Sequence, residues 1–243
     1  MDYRKIIAVV VIAAGACYVG RPISVNAAKF NVSTVTEFQN ALNTAGSNRQ
    51  DDIIHLQAGV YLLSGAAMAY SNDSLEDFSI KITGRGPGNS VLDGQDLCRI
   101  LGIDSNKPAG HVTVEKLSFR NGKTGRGGCG GGLFVQTGAA DIKVTECEFS
   151  GNFSGLNGGG VYAWSSSGGL TIEECVFTDN SAASNGGGLY AWSNTSGPVR
   201  IADNHVELNA AATGDGGGAY ARNGTGTTTV TDNTVRNLSL IHI

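Results

Sequence analysis

The chain has 243 residues, 36 of them glycine and only 4 proline, with 16% charged residues and a formal net charge of −4. That length holds one sizeable domain, and this composition excludes a disordered linker protein. No basic run follows the first few residues and no long apolar stretch lies beyond the start, which argues against a nucleic-acid partner and against a membrane-spanning helix in the mature region.

Arg4 and Lys5 precede an apolar run from Ile6 to Ala16, and Val25-Asn26-Ala27 places small residues where a signal peptidase reads. This pattern predicts a secretory signal over residues 1–27, cleaved after Ala27, and so an exported protein found outside the cell or at its outer surface. Two other readings stand. Ala14-Gly15-Ala16-Cys17 loosely follows a lipid-attachment box, the runner-up, and a buried apolar helix is the last reading. Next, Thr36 to Ala45 sets Phe38, Ala41, Leu42 and Ala45 at helical spacing. An amphipathic helix there, within a cap over residues 28–50, would cover the open edge of whatever sheet follows.

From residue 51 short alternating segments take over. Ile53–Leu56 and Val60–Leu63 predict a first coil, then Phe78, Ile80 and Ile82 alternate ahead of a Gly84-Arg85-Gly86-Pro87-Gly88 turn and Val91-Leu92. Val112-Thr113-Val114 with Leu117 and Phe119 fits another, its asparagine, Asn121, one place early. The clearest repeat is glycine: triplets at Gly130, Gly158, Gly186 and Gly216 start 28, 28 and 30 residues apart, each followed by a small or apolar residue and then an aromatic. Between them Ile142–Val144, Leu170–Ile172 and Val199–Ile201 alternate, followed in register by Cys147, Cys175 and Asn204, by Phe149, Phe177 and Val206, and by Asn152, Asn180 and Asn209. A last coil begins with Thr228, Val230, Asn233 and Val235.

No such unit buries its apolar side alone. Stacked about 4.8 Å apart, the coils pair in parallel and turn the inward positions into ladders of aliphatic, aromatic and asparagine residues. The predicted fold is all-β: a parallel β-helix of about seven coils over residues 51–237, with a short N-terminal capping helix. The string Leu238-Ser239-Leu240-Ile241-His242-Ile243 breaks the pattern and matches the translation of a transposase end used in library preparation, so residues 238–243 read as an adaptor rather than protein; a genuine short strand is the other reading.

Phe149-Ser150-Gly151-Asn152 with Gly158-Gly159-Gly160-Val161-Tyr162-Ala163, and Phe177-Thr178-Asp179-Asn180 with Gly186-Gly187-Gly188-Leu189-Tyr190-Ala191, resemble the repeats of polymorphic outer membrane proteins. The opening through Asp51–Leu56, Ala58–Tyr61 and Val91-Leu92-Asp93-Gly94 is similar to secreted right-handed β-helix proteins of the pectin-lyase-like superfamily. Together these resemblances cover about residues 30–237 and imply a right-handed helix. Members with the first repeat end in a membrane β-barrel; enzymes of the second use aspartates with calcium and an arginine, or clustered aspartates with a histidine.

Against that template the candidate chemistry is thin. Asp203 and Asp232 stack, as a calcium pair or as turn residues before Asn204 and Asn233; Asp179 is out of step, and Arg120 has no stacked carboxylate. Cys98, Cys129, Cys147 and Cys175 form no C-x-x-C pair and the histidines are scattered, so no metal or other cofactor is expected. Cys147 and Cys175 lie one coil apart, either as a disulfide or as buried free thiols. An aromatic column runs through Phe134, Tyr162, Tyr190 and Tyr220, with Trp164 and Trp192 two places on. If Val161 and Ala163 face inward, these face outward. The column is then a platform for a glycan or for a host or neighbour-cell surface protein, through Tyr162, Trp164, Tyr190, Trp192 and Tyr220, or it is ordinary cross-coil stacking. The sequence points to an adhesin-like, non-catalytic surface or secreted protein. A polysaccharide lyase or glycoside hydrolase whose active site lies beyond Asn237 or is unrecognised is the alternative, and a structural spacer is the third reading.

Overall fold

The computed structural model describes residues 27–72, 77–105 and 110–238; the signal segment, Cys17 and residues 239–243 lie outside the described residues. Within them the chain winds into a parallel β-solenoid of six complete turns and two strands of a seventh. Each coil contributes one strand to each of three long sheets. The first sheet holds Asp52–Leu56, Ile80–Thr83, Val112–Glu115, Ile142–Thr145, Leu170–Glu173, Val199–Ala202 and Thr228–Thr231. Gly59–Leu62 through Thr234–Arg236 build the second, and Met68–Ser71 through Ala219–Asn223 the third. From the third coil onward a small fourth sheet, Lys123–Arg126 to Ala210–Ala211, widens the corner before the third.

The core is a stack of ladders. Ile54, Ile82, Val114, Val144, Ile172 and Ile201 lie one above another and buried. Beside them Phe119, Phe149 and Phe177 stack with ring centroids 4.9 and 5.1 Å apart and planes within 9°. Asn152, Asn180 and Asn209 close the next corner: each side-chain amide donates to the carbonyl of a phenylalanine one coil back, Phe119, Phe149 and Phe177, at 2.8–3.0 Å. A second asparagine ladder, Asn204 and Asn233, does the same for Ile172 and Ile201. Asn121 sits off the first ladder because Gly122 occupies its slot and donates its N–H to Asn152 Oδ1 at 2.8 Å. Asn121 takes the preceding turn position instead, in the left-handed region at φ 54°.

The turns explain the glycines. Gly130, Gly158, Gly186 and Gly216 have φ between 63° and 68°, where a β-carbon is strained. The third glycine of a triplet is needed for space: a Cβ on Gly160 would lie 2.7 Å from Gly188 O. From the third coil onward the left-handed residue at the first corner is Lys116, Glu146, Glu174, Asp203 or Asp232, so the stacked pair Asp203–Asp232 consists of turn residues preceding the Asn204 and Asn233 amides.

At the N-terminal end the helix Val35–Ala45 buries Phe38, Ala41, Leu42 and Ala45. It starts one residue earlier than its spacing suggests because Thr34 and Glu37 form a capping box, a T-x-x-E signal present in the sequence. The cap also contains a strand, Ala28–Val32, added in parallel to the first sheet. Gln39 reaches from the helix to Ala69, donating to its carbonyl at 2.8 Å and accepting from its N–H at 2.9 Å. One side-chain amide thus substitutes for a neighbouring strand at the edge of the third sheet.

Candidate functional site

The outward face of the third sheet carries the aromatic column. Strands Leu133–Thr137, Val161–Ser165, Leu189–Ser193 and Ala219–Asn223 pair in register, aligning Phe134, Tyr162, Tyr190 and Tyr220, and in the next outward column Gln136, Trp164, Trp192 and Arg222. Val161, Ala163 and Ser165 are buried while Tyr162 and Trp164 are half-buried, so the alternation runs as the sequence predicts.

The rings stack face to face: Phe134–Tyr162 at 5.2 Å, Tyr162–Tyr190 at 5.0 Å and Tyr190–Tyr220 at 4.9 Å, all within 5° of parallel. Tyr190, between two rings, is only 6% exposed. Burial raises the phenol of Tyr162 and pushes that of Tyr190 up to about 12, so both remain protonated donors. With both faces stacked, Tyr162 and Tyr190 offer a ligand their edges and hydroxyls. Trp164 and Trp192 do not join this ring stack.

Arginines flank the column. Arg99 lays its guanidinium 4.5 Å from the Phe134 centroid and donates to the carbonyls of Cys129 and Gly130. It thereby fills the aromatic slot left vacant in the coil below, where the residue is Gly102. Sequence reasoning missed Arg99, since it sits outside the repeat register. At the far end Arg222 stands 5.0 Å from the Trp192 ring centroid. Trp192 Nε1 is buried without a hydrogen-bond partner.

The other face rich in polar groups belongs to the first sheet. Its outward positions alternate from coil to coil: Lys81 and Thr83, Thr113 and Glu115, Lys143 and Thr145, Thr171 and Glu173. Lys81 pairs with Glu115 at 2.9 Å and Lys143 with Glu173 at 2.7 Å, and Arg200 adds a contact to Glu173 at 3.5 Å. The Lys143 hydrogen bond lowers the Glu173 carboxyl; at Glu115 burial pushes upward, but Lys81 and Thr83 outweigh it and the net shift is down. Both therefore stay ionised at neutral pH and neither is poised to donate a proton. Near the start of these strands His111 Nδ1 lies 3.5 Å from Asp141, beside a depression of about 410 Å³ that also touches Thr113, Lys143 and Pro198.

These depressed carboxyls set an acid limit. Their stabilisation is complete above the ordinary carboxylate value of 4.5 and is lost as pH falls through their lower folded values. The melting temperature should hold from neutrality to about pH 5 and then fall, with a shallower fall in Lys143→Gln. Equal slopes in the two proteins would remove the pair from the account.

Cys147 and Cys175 do lie on adjacent rungs, and the structure holds both as free, buried thiols. Their sulfurs also contact backbone carbonyls, Cys147 that of Thr145 at 3.3 Å and Cys175 that of Glu173 at 3.1 Å. Among the described residues no three His, Cys, Asp or Glu side chains gather as a metal site, and no helix is long and apolar enough to cross a membrane.

Comparison with known families agrees with this geometry. A model described as right handed beta helix region matches residues 23–177, and one described as Chlamydia polymorphic membrane protein repeat matches residues 174–191. Neither the curated proteins nor the solved structures yield a match.

Proposed function

Because the chain belongs to the right-handed β-helix family and carries a repeat of the polymorphic membrane protein type, we propose that it is an exported, adhesin-like surface protein that binds without catalysis. Its contact face is the outward side of the third sheet, and its partner a glycan or a protein on a host or neighbouring cell. The observation that carries this reading is the in-register column Tyr162–Tyr190–Tyr220 beside Trp164 and Trp192, large aromatic groups set on the outward side of a sheet whose aliphatic ladders point inward. The roles differ within it. Because both faces of Tyr162 and Tyr190 are occupied, the indoles supply the apolar contact and these phenol edges supply donors.

The test is the double variant Trp164→Ala/Trp192→Ala, compared with the parent on glycan arrays and on intact cells. Binding should drop at least about tenfold, the equivalent of about 1.4 kcal/mol. The far-ultraviolet circular dichroism should not change, since both side chains lie outside the ladders of the core. Full binding by the folded double variant would refute the proposal. The polysaccharide lyase or hydrolase reading gains no support from the ion-paired carboxylates of the first sheet.

A further inference from the structure

Arg99 bears a charge that no described residue balances, and it does so in the middle of the solenoid. Its guanidinium lies over Gly102 on the outward side of the third sheet, with Nη1 3.6 Å from where a β-carbon on that glycine would stand. Phe134 follows in the same column one coil on, and Ala69, exposed, precedes it one coil back, so strands flank the position on both sides. The side chain is held along one edge and one face. Nε donates to the carbonyls of Cys129 and Gly130 at 3.2 Å each, Nη2 donates to Cys129 O at 2.7 Å, and the group sits 4.5 Å from the Phe134 centroid. The other edge, formed by Nη1 and Nη2, has no hydrogen-bond partner among the described residues. No carboxylate among them is paired with Arg99 either, although Asp104 stands exposed at the next outward position after Gly102. Burial weighs against the Arg99 charge. The nearby Cys129 thiol is itself pushed up by burial, so at neutral pH it supplies no counter-charge.

We infer that the Nη1–Nη2 edge of Arg99 is an anion subsite at one end of the aromatic column, and that it takes a carboxylate or a sulfate carried by the bound glycan. This rests on the contact-face reading above. A guanidinium edge offers two parallel N–H groups that match two oxygens of one anionic group, and such charge-assisted pairs are the strong class of hydrogen bond. The carbonyls of Cys129 and Gly130 and the ring of Phe134 fix the plane in advance, so little side-chain freedom is lost when the anion arrives. A partly desolvated cation also gains more from a counter-charge than one in open water. From Arg99 the column runs on through Phe134, Tyr162 and Tyr190, stacked 5.2 and 5.0 Å apart. An acidic group held at Arg99 therefore sets where along the face the rest of the ligand begins. Neutral glycans keep the indole contacts and lack this anchor.

The test is calorimetric titration with three probes on one backbone: cellohexaose, its sulfate ester at the primary hydroxyls, and the hexaglucuronate of the same linkage. The parent should bind at least one acidic probe about tenfold more tightly than cellohexaose, and which one shows whether sulfate or carboxylate is the better fit. Arg99→Met, which keeps an apolar cover on Phe134, should erase that advantage and leave cellohexaose binding within about twofold of the parent. Arg99→Lys keeps the charge without the fork and should lose most of the advantage. Asp104→Asn alters an exposed side chain outside the column, and it should tighten the acidic probes alone. No acidic preference in the parent, or one that survives Arg99→Met, would make Arg99 a filler of the Gly102 slot and refute the subsite. The contact face would still stand if Trp164→Ala/Trp192→Ala weakened cellohexaose. An equal response of acidic and neutral probes to Asp104→Asn would also overturn the placement, and binding of none of the three by the parent would sink subsite and glycan reading together.

Discussion

Phe149→Ala should destabilise the protein by about 4 kcal/mol, the range for removing a fully buried phenylalanine. Phe149 has no solvent exposure and is sandwiched between Phe119 and Phe177, so truncation removes two ring stacks as well as the buried area. A solenoid coil touches only its neighbours, so the loss should be local. Hydrogen exchange should accelerate most in Val112–Glu115, Ile142–Thr145 and Leu170–Glu173 and much less in Ile54 and Leu56 at the capped end. Val206→Ala, in the same column one coil past Phe177, removes a smaller side chain and should cost less. A Phe149→Ala loss below about 2 kcal/mol would mean that the cavity collapses and that the phenylalanine ladder is not what sets the core.

Asn180→Ala should cost about 3 kcal/mol although no apolar packing is lost, because it strands several buried groups at once. Asn180 Nδ2 donates to Phe149 O at 2.9 Å and to Asn209 Oδ1 at 2.9 Å, while its Oδ1 accepts from the N–H and Nδ2 of Asn152 at 3.1 and 2.9 Å. All three asparagines are buried, so water cannot take over. Asn180→Asp is the sharper probe. It keeps the shape but sets an ionised acceptor against Phe149 O and Asn209 Oδ1, and it should be at least as damaging near neutrality and milder in acid, where the carboxyl regains a proton. Asn233→Ala, in the last described coil and partly exposed, should cost no more than about 1 kcal/mol. Equal losses at Asn180 and Asn233 in denaturant melts would show that burial is not the source of the effect.

The contrast between these residues and the contact face marks what the sequence could disclose. Glycine triplets and the F-x-x-N spacing report backbone constraints that repeat in every coil, so period, handedness by resemblance, ladder columns and the outward setting of Tyr162 and Trp164 could all be read in advance. Arg99 could not, since it fills the Gly102 slot from three residues upstream, a substitution visible only once side chains are placed. Gln39 closing the edge at Ala69 depends likewise on how the helix lands 30 residues away. Asn121 stands one place early in an unbroken register, as its spacing from Phe119 already indicates, and the hydrogen bond from Gly122 to Asn152 shows which residue holds the slot instead. The unpartnered Trp192 nitrogen belongs with Arg99 and Gln39: residue types gave the column, but rotamers decide which faces are still free.

The alternation on the first sheet implies a rule of growth. Coils carrying lysine, Lys81 and Lys143, are separated by coils carrying glutamate, Glu115 and Glu173, so the surface repeats every two turns while the backbone repeats every one. Excising the single turn that holds Thr113 and Glu115 would set Lys81 directly beneath Lys143 and leave two like charges where an ion pair had been. Removing or inserting two turns restores the order unchanged. For such a chain parity becomes a heritable trait: duplications in pairs of coils pass unnoticed at this face, and odd ones carry an electrostatic mismatch.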